Sequence, residues 1–149
     1  MSFSHVRKTY AKTQKRKSGY RDLEKKLDRI FSEYIRLRDA NEHGYCQCVT
    51  CGKFYFWKEI HCGHFISRSV KATRFNEINS NSQCVRCNSF RQGEHHIYRE
   101  QLIDMYGKNL VESLEHEAKL GGSLDTFDLQ QKIDLYRGKV KKLKEEKGL

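Results

Sequence analysis

Proline is absent from this chain of 149 residues, and no stretch approaches the run of about 18 apolar residues that a transmembrane helix needs. The first 21 residues contain no aspartate or glutamate, and they also lack the apolar core of a secretory signal. The absence of proline favours a helix-rich protein. The absence of apolar runs argues against a membrane partner. We therefore expect a cytoplasmic protein whose cysteines stay reduced and are available to bind a metal.

Positive charge is abundant where negative charge is missing. The net charge is +10, and basic side chains are concentrated in the first 21 residues and in a lysine run from Lys139 to Lys147. A polyanion is the natural partner of such a surface, and a nucleic acid is the polyanion we expect. The first 19 residues should form a flexible DNA-binding arm, with Lys15, Arg16 and Lys17 among its contacts. The alternative is a solvated tail that only aids solubility.

Apolar periodicity predicts an α+β protein in which helices flank a small core. Residues at a spacing of three to four predict a helix over 20–40, a second over 85–106 that is bent near Gly93, a short one over 108–120 and a last one from Thr126. Strand character is confined to residues 45–66, and residues 67–83 are expected to be a polar loop. The expected organisation is a DNA-binding arm (1–19), an N-terminal helix (20–44), a zinc-binding core (45–107) and a C-terminal helical extension (108–149).

Two cysteine pairs carry the clearest signal. Cys48 and Cys51 form one CxxC unit, and Cys84 and Cys87 form another. Two such units brought together supply the four thiolates that zinc prefers in a tetrahedral structural site. The pairs are 32 residues apart, so the insert between them must be a structured excursion. The alternative, four cysteines that bind nothing, explains the doubled spacing poorly.

The two remaining cysteines are expected to play no part in the zinc site. Cys46 lies two residues before Cys48, and a CxC unit cannot wrap a metal as readily as CxxC. Cys62 lies between His61 and His64, and we expect it to point away from both as a small core residue. Neither cysteine is therefore a predicted ligand.

The insert between the cysteine pairs resembles a known group of enzymes. The order His64, Asn79, Cys84-x-x-Cys87, Asn88 is similar to that of the HNH endonucleases, the ββα-metal or His-Me finger group. More narrowly, the stretches Cys48–Gly52, His61–Arg68 and Asn79–Asn88, with Tyr98–Gly107, resemble the NinG (Rap) recombination proteins of lambdoid phages. The resemblance covers roughly residues 20–110 of the chain. It implies a zinc-stapled ββα-metal core and, if a phage encodes the chain, a place in the host cytoplasm.

The resemblance also implies an activity and a role for each matching residue. The activity is a metal-dependent, structure-specific DNA endonuclease that cuts branched recombination intermediates. His64 matches the general base, which must be neutral near pH 7 to accept a proton. Asn79 matches the residue that orients the hairpin loop and with it His64. Asn88 matches the ligand of a catalytic divalent cation, Mg²⁺ or Mn²⁺, that binds the scissile phosphate.

One position departs from the family pattern. Many HNH enzymes carry a metal-binding aspartate just before the base histidine, and here that position is Gly63. His61 is the obvious substitute ligand, although side chains three apart on a regular strand face opposite sides. A bulge at Gly63 would bring His61 and His64 to one side. The alternative is that His61 is a structural or supporting histidine.

Several other basic and ring-bearing residues lie close to these motifs. Arginine suits phosphate because its planar fork can bond two oxygens. The residues we expect to contact DNA are Arg68, Arg74, Arg86 and Arg91, and each has the alternative of a solvated charge. His95 or His96 could reach the catalytic metal or a phosphate, and both could equally be surface residues. No base-reading module is recognisable, so shape and backbone recognition is expected.

Three interpretations compete at this point. The first is the endonuclease described above. The second is a zinc-stabilised, non-catalytic DNA-binding recombination factor, for which Gly63 is the best support. The third is a purely structural zinc protein, which the positive charge, His64 and Asn88 disfavour. The flanking helices also suggest a possible homodimer, although the last helix could equally pack on the core.

Overall fold

The computed structural model describes the backbone of residues 3–149 and the side chains of residues 19–149. The fold is α+β, as predicted, with four α-helices and four short strands among the described residues. The strands are β1 (Tyr45–Gln47), β2 (Phe54–Phe56), β3 (His61–His64) and β4 (Ser80–Gln83). The helices are α1 (Phe3–Asp39), α2 (His95–Tyr106), α3 (Lys108–Leu120) and α4 (Thr126–Lys147).

Helix α1 begins at Phe3, so it is longer than the predicted span of residues 20–40. The side chains of Lys15, Arg16 and Lys17 lie outside the described residues, and the DNA-binding arm stays a prediction. None of the helices in the described part of the chain combines the length and the apolar character that crossing a bilayer requires.

Helices α1 and α4 form the largest apolar layer. Their cluster of buried residues consists of Leu27, Phe31, Tyr34, Ile35, Phe75, Leu129, Ile133 and Tyr136. Thr126 at the start of α4 lies beside Tyr20, and Lys147 at its end donates to the carbonyl oxygens of Leu37 and Ala40, so the two helices run in the same direction. The last helix therefore packs on the core of its own chain. A homodimer stays a prediction.

The strands form two separate antiparallel pairs. Strand β1 pairs with β2, and β3 pairs with β4. The β3–β4 register is one-to-one through Gly63, which faces Asn81, so the bulge considered at Gly63 is not present in β3. Glycine is required there for another reason: a Cβ on residue 63 would lie 2.7 Å from Cβ of Gln83 and closer still to its amide oxygen. The Gln83 side chain occupies the space that a residue larger than glycine would need.

Strand β4 corrects the prediction of a polar loop over residues 67–83. Its four residues, Ser-Asn-Ser-Gln, are all buried. Buried polar strands need partners, and the end of α1 supplies them. Asp39 accepts from the backbone N–H of Ser82 at 2.7 Å, and Arg38 donates to the carbonyl oxygen of Ser80 at 3.0 Å. The side chains of α1 thus complete the edge of β4 that β3 leaves open.

The predicted helix over residues 85–106 is two segments rather than one bent helix. A five-residue π-helical turn spans Arg86–Phe90, and α2 starts only at His95. Between them, Gln92, Gly93 and Glu94 have φ of 52°, 84° and 49°. Three consecutive residues with positive φ cannot continue a right-handed helix. The break lies where a bend was expected, but it is complete.

Candidate active site and metal centre

The four cysteines of the two CxxC units come together. The Sγ atoms of Cys48, Cys51, Cys84 and Cys87 all lie within 4.8 Å of one another. A tetrahedral zinc site with Zn–S bonds of about 2.3 Å has sulfur–sulfur separations of about 3.8 Å, and the Cys51–Cys84 separation is 3.9 Å. The predicted grouping is therefore confirmed, and these residues could hold a single metal ion.

The local backbone prepares one of these thiols for metal binding. Burial on its own would raise the pKa of Cys48. The Cys48 sulfur, however, accepts a hydrogen bond from the backbone N–H of Cys84 at 3.3 Å and lies 3.4 Å from the hydroxyl of Thr50. Together these hydrogen bonds lower the pKa of Cys48 to about 6. A thiol with such a pKa is a thiolate at neutral pH, which is the form that binds metal.

Cys46 and Cys62 lie outside the four-cysteine group, as expected. The buried thiol of Cys46 donates to the carbonyl oxygen of Arg36 at 3.1 Å. Cys62 packs against the α1–α4 cluster, and burial raises its pKa to about 12. Its core position was predicted, but it shares a face of the regular strand β3 with His64 instead of pointing away from it.

Three of the candidate catalytic and metal-binding residues line one cavity of about 670 Å³, and Asn79 does not. His61 and His64 at the two ends of β3 both line it, together with Asn88 from the π-helical turn. Residues from both faces of β3 take part, which places the cavity along the strand edge that β4 does not pair. His61 and His64 therefore reach one cavity without the expected bulge.

His64 is held in one tautomer by the backbone. Its Nε2 lies 3.0 Å from the carbonyl oxygen of Arg74. A carbonyl only accepts hydrogen bonds, so Nε2 carries the proton and Nδ1 carries the lone pair when the ring is neutral. Burial lowers the pKa of His64 below its ordinary value of 6.5. The ring is therefore neutral at pH 7 and able to accept a proton.

Asn79 closes the loop that follows His64. It is fully buried, and its amide accepts from the backbone N–H of Ile66 at 2.7 Å while donating to the carbonyl oxygens of Ile66 and Thr73 at 3.0 Å. The backbone carbonyl oxygen of Asn79 accepts from the backbone N–H of Phe65. One side chain thus ties both ends of the loop over residues 65–79 and holds the backbone next to His64.

Asn88 and His61 are in direct contact. Asn88 Nδ2 lies 3.2 Å from His61 Nδ1, so a single cation could reach both side chains. The donor set is neutral, and none of the described residues that line the cavity carries a carboxylate. Phosphate oxygens would have to supply the negative charge that neutralises a hard cation at this point. The pair fits a cation that is held jointly with a phosphate, and it does not resemble a cation site made by the protein alone.

The arginines predicted to contact DNA have different surroundings. Arg68 is exposed and lines the cavity beside His64, and Arg86 is exposed on the π-helical turn. Arg91 forms an ion pair with Glu94 at 2.7 Å. Arg74 is only 13% exposed and makes a two-pronged ion pair with Asp28 on α1, at 2.9 and 2.5 Å. The structure gives this guanidinium an internal partner, while the backbone carbonyl of the same residue bonds His64.

Several cavity residues were missed from the sequence. Arg36 and Lys58 add two cations to the wall, and the main chain of Gly93 also lines it. His95 lines the cavity and packs on Phe65 with 4.8 Å between ring centroids, whereas the side chain of His96 is 87% exposed. No local motif marks Arg36 or Lys58, because one is on α1 and the other on the turn after β2.

The fold and these two sites define a small α+β protein with a four-cysteine site that could hold a metal, next to a cavity lined by histidines and cations. The chain matches the family described as "Bacteriophage Lambda NinG protein" over residues 4–146. It belongs to the NinG family.

Individual relatives agree with this assignment. "Protein ninG" of Escherichia phage lambda is 30% identical over 92 residues, which is 61% of this chain and 43% of the relative. "Protein ninG" of Salmonella phage P22 is 29% identical over 96 residues, which is 64% of this chain and 45% of the relative. The aligned region is thus less than half the length of these relatives. No solved structure matches the chain.

Proposed function

We propose that this protein is a metal-dependent DNA endonuclease that hydrolyses phosphodiester bonds in branched recombination intermediates. The observation that carries the proposal is His64, a half-buried, neutral histidine with a defined tautomer in the wall of a cationic cavity. A general base needs this state near pH 7. A core histidine would need neither the cavity nor the neighbouring cations.

The local order of elements supports the same activity. Strand β3 ends at His64, a long loop held by Asn79 follows, β4 pairs back on β3, and the π-helical turn that carries Asn88 comes next. Two antiparallel strands followed by a helical segment is the arrangement implied by the HNH resemblance. The four cysteines bring together the segment before β3 and the segment that follows β4. We propose that they bind zinc in a purely structural role.

The residues divide the work of hydrolysis. Nδ1 of His64 takes the proton of the attacking water, and the carbonyl oxygen of Arg74 keeps the ring in the required tautomer. Arg36, Lys58 and Arg68 attract the phosphate and offset its charge. Asn88 and His61 would hold the divalent cation, Mg²⁺ or Mn²⁺. When bound, that cation supplies electrostatic stabilisation of the phosphate and of the leaving oxygen.

A second candidate function rests on a specific observation. Within the part of the chain that the structure describes, the wall of the cavity lacks a carboxylate, and Gln83 prevents one from being placed at residue 63. A site without a carboxylate binds Mg²⁺ weakly before substrate arrives. The alternative is therefore a zinc-stabilised recombination factor that binds DNA and does not cut it.

Cleavage assays separate the two functions. We would incubate the full chain with a four-way junction, a three-way junction and a linear duplex, in Mg²⁺ or Mn²⁺. The proposal expects cleavage of branched DNA, a loss of at least about a hundredfold in His64→Ala, and full activity in His43→Ala, which removes an exposed histidine on the turn after α1. Tight binding with no cleavage in either metal would favour the non-catalytic factor.

The basic arm is tested by the salt dependence of binding. Each phosphate contact contributes about 0.9 to the slope of log affinity against log salt. Replacing Lys15, Arg16 and Lys17 by glutamine should therefore reduce the slope by up to about 2.7. Replacing three exposed cations outside both basic segments, Lys108, Lys119 and Arg137, by glutamine is the control for lost charge. An equal reduction in both variants would remove the arm from the proposed DNA interface.

A further inference from the structure

Phe90 is the most exposed large hydrophobic side chain in the described part of the chain, at 81%. It ends the π-helical turn, and its neighbours Asn88 and Gln92 both line the cavity. Phe90 therefore lies at the rim of the candidate active site, between two residues of its wall. Exposing an aromatic ring to water forgoes the stabilisation that its burial would give, and the described fold makes no use of a phenylalanine there.

The backbone on either side of Phe90 is held by hydrogen bonds to buried residues. Cys87 is buried in the four-cysteine group, and its carbonyl oxygen accepts from the N–H of Gly93 at 2.9 Å. The amide of the fully buried Gln83 donates to the carbonyl oxygen of Gly93 at 2.8 Å. Gln92 and Glu94 keep positive φ, which is unfavourable for residues with a side chain and persists only where surrounding contacts impose it. Strained backbone of this kind is concentrated at functional sites.

The charges around Phe90 indicate what it meets. Arg86 precedes it by about one helical turn, and Arg91 follows it directly; both are exposed. Arg68 and Lys58 line the same cavity. A ligand that suits this rim is negatively charged and also offers a flat apolar face. A nucleic acid with an unstacked base has both properties, whereas a fully paired duplex has its base faces covered.

The other exposed apolar side chains do not share this setting. Phe127 is 66% exposed and Leu120 is 73% exposed, but they lie at the start of α4 and the end of α3. Neither lines the cavity. Phe127 therefore offers a matched control: it is a phenylalanine of similar exposure on the same chain.

We propose that Phe90 stacks on an unpaired base at the branch point of the DNA and so sets the preference of this protein for branched over linear substrates. The inference rests on the proposed function, since it assumes that the cavity beside Phe90 receives the DNA backbone. Stacking of a base on an aromatic side chain contributes enough affinity for a loss of about tenfold on removal of the ring. Phe90 is then a specificity-determining residue and takes no part in the chemistry.

Binding without added divalent metal tests this stacking separately from cleavage. A three-way junction with 2-aminopurine at the branch point reports stacking through quenching of its fluorescence, and a duplex of the same length is the reference. Wild type, Phe90→Trp and Phe127→Ala should quench the probe and prefer the junction. Phe90→Ala and Phe90→Leu should lose the quenching and about tenfold in junction affinity, with duplex affinity unchanged.

Other outcomes overturn the inference. Phe90→Ala could weaken junction and duplex binding equally, or Phe90→Leu could bind as wild type does; either result excludes a specific stacking role. A fall in sedimentation mass for Phe90→Ala would assign the ring to contact with a second copy of this chain instead. If the wild type binds neither DNA, the proposed function itself fails. If it binds both and Phe90→Ala is unchanged, only the stacking fails.

Discussion

The imidazole of His64 and the backbone carbonyl of Arg74 are joined by a hydrogen bond of 3.0 Å. The guanidinium of the same Arg74 forms an ion pair with Asp28 on α1. Asp28, 46 positions away in the sequence, is thereby linked through Arg74 to the backbone that bonds the candidate base. The DNA contact expected of Arg74 stays a prediction, and the structure adds this internal ion pair.

This chain of contacts predicts that Asp28→Asn disturbs His64 without touching it. The substitution removes one charge from a pair that is mostly shielded from water, and we expect a loss of about 1–2 kcal/mol in the free energy of unfolding. We also expect a changed His64 ring signal in NMR spectra, because the Arg74 carbonyl shifts. Asp134→Asn on the exposed face of α4 should change neither quantity. An unaltered His64 signal in Asp28→Asn would separate the ion pair from the site.

The lowered pKa of His64 predicts a pH dependence of stability. Its unfolded-state pKa is 6.5 and its folded-state pKa is lower, so the unfolded chain binds the proton first as pH falls. Well above pH 6.5, where the residue is deprotonated in both states, it contributes nothing to the slope. Below it, stability declines by at most about 1.4 kcal/mol per pH unit, until the folded-state pKa is reached.

Urea unfolding of wild type and His64→Gln between pH 5 and 8 measures this contribution. The stability difference between the two proteins should be constant above about pH 6.5 and shift against the wild type below it. His43→Gln, which changes an exposed histidine, serves as the control and should follow the wild type. A His64→Gln curve parallel to the wild type throughout would contradict the burial of a neutral ring.

The buried amide of Asn79 predicts a large effect from an isosteric change. Asn79→Asp keeps the acceptor for the Ile66 N–H but cannot donate to the carbonyl oxygens of Ile66 and Thr73. A buried carboxylate would face two carbonyl oxygens, so we expect a loss of about 3 kcal/mol in the free energy of unfolding. Asn76→Asp, whose amide has an exposed contact with Glu117, should cost far less. Chemical denaturation compares the two, and equal costs would mean that Asn79 does not close the loop.

The packing of Gln83 on Gly63 predicts the outcome of a single added methyl group. Gly63→Ala would put a Cβ 2.7 Å from Cβ of Gln83, and overpacking of this kind costs about 1–3 kcal/mol. Gly138→Ala in α4 has open space around its new Cβ and should be neutral or stabilising by up to about 1 kcal/mol. The double variant Gly63→Ala/Gln83→Ala should lose less than the sum of the single variants. Additive losses would show that the clash is not with Gln83.

The four-cysteine group predicts one zinc ion per chain. Binding free energies of structural zinc sites, about 10–16 kcal/mol, are as large as the whole stability of a small domain. Cys84→Ser should therefore lose both the metal and the cooperative unfolding transition. Cys62→Ser, in the α1–α4 layer, should keep the metal. Elemental analysis and thermal unfolding check both, and a metal-free, stably folded wild type would refute the site.

The cysteine grouping could be predicted from the sequence because it depends on local geometry. A CxxC unit closes on a metal through its own turn, so two such units identify the ligands without knowledge of the fold. Helix ends at Gly107 and Gly121 were similarly visible, since glycine there takes positive φ at 85° and 75°. The assignment of His64 as the candidate base came from the family resemblance.

Strand β4 and the surroundings of His64 could not be predicted in this way. Ser-Asn-Ser-Gln has no apolar alternation, and it is buried only because Arg38 and Asp39 reach across from α1 to satisfy its backbone. From the sequence, Gly63 was interpreted as the position of a missing metal ligand or of a bulge. In the structure the Gln83 side chain packs directly on it and leaves no room for a Cβ. The sequence alone determined which residues could bind a metal, because that is a property of residue type and short spacing. Only the tertiary structure decided which partner each polar group has, since hydrogen bonds and ion pairs between distant segments depend on how the whole chain packs.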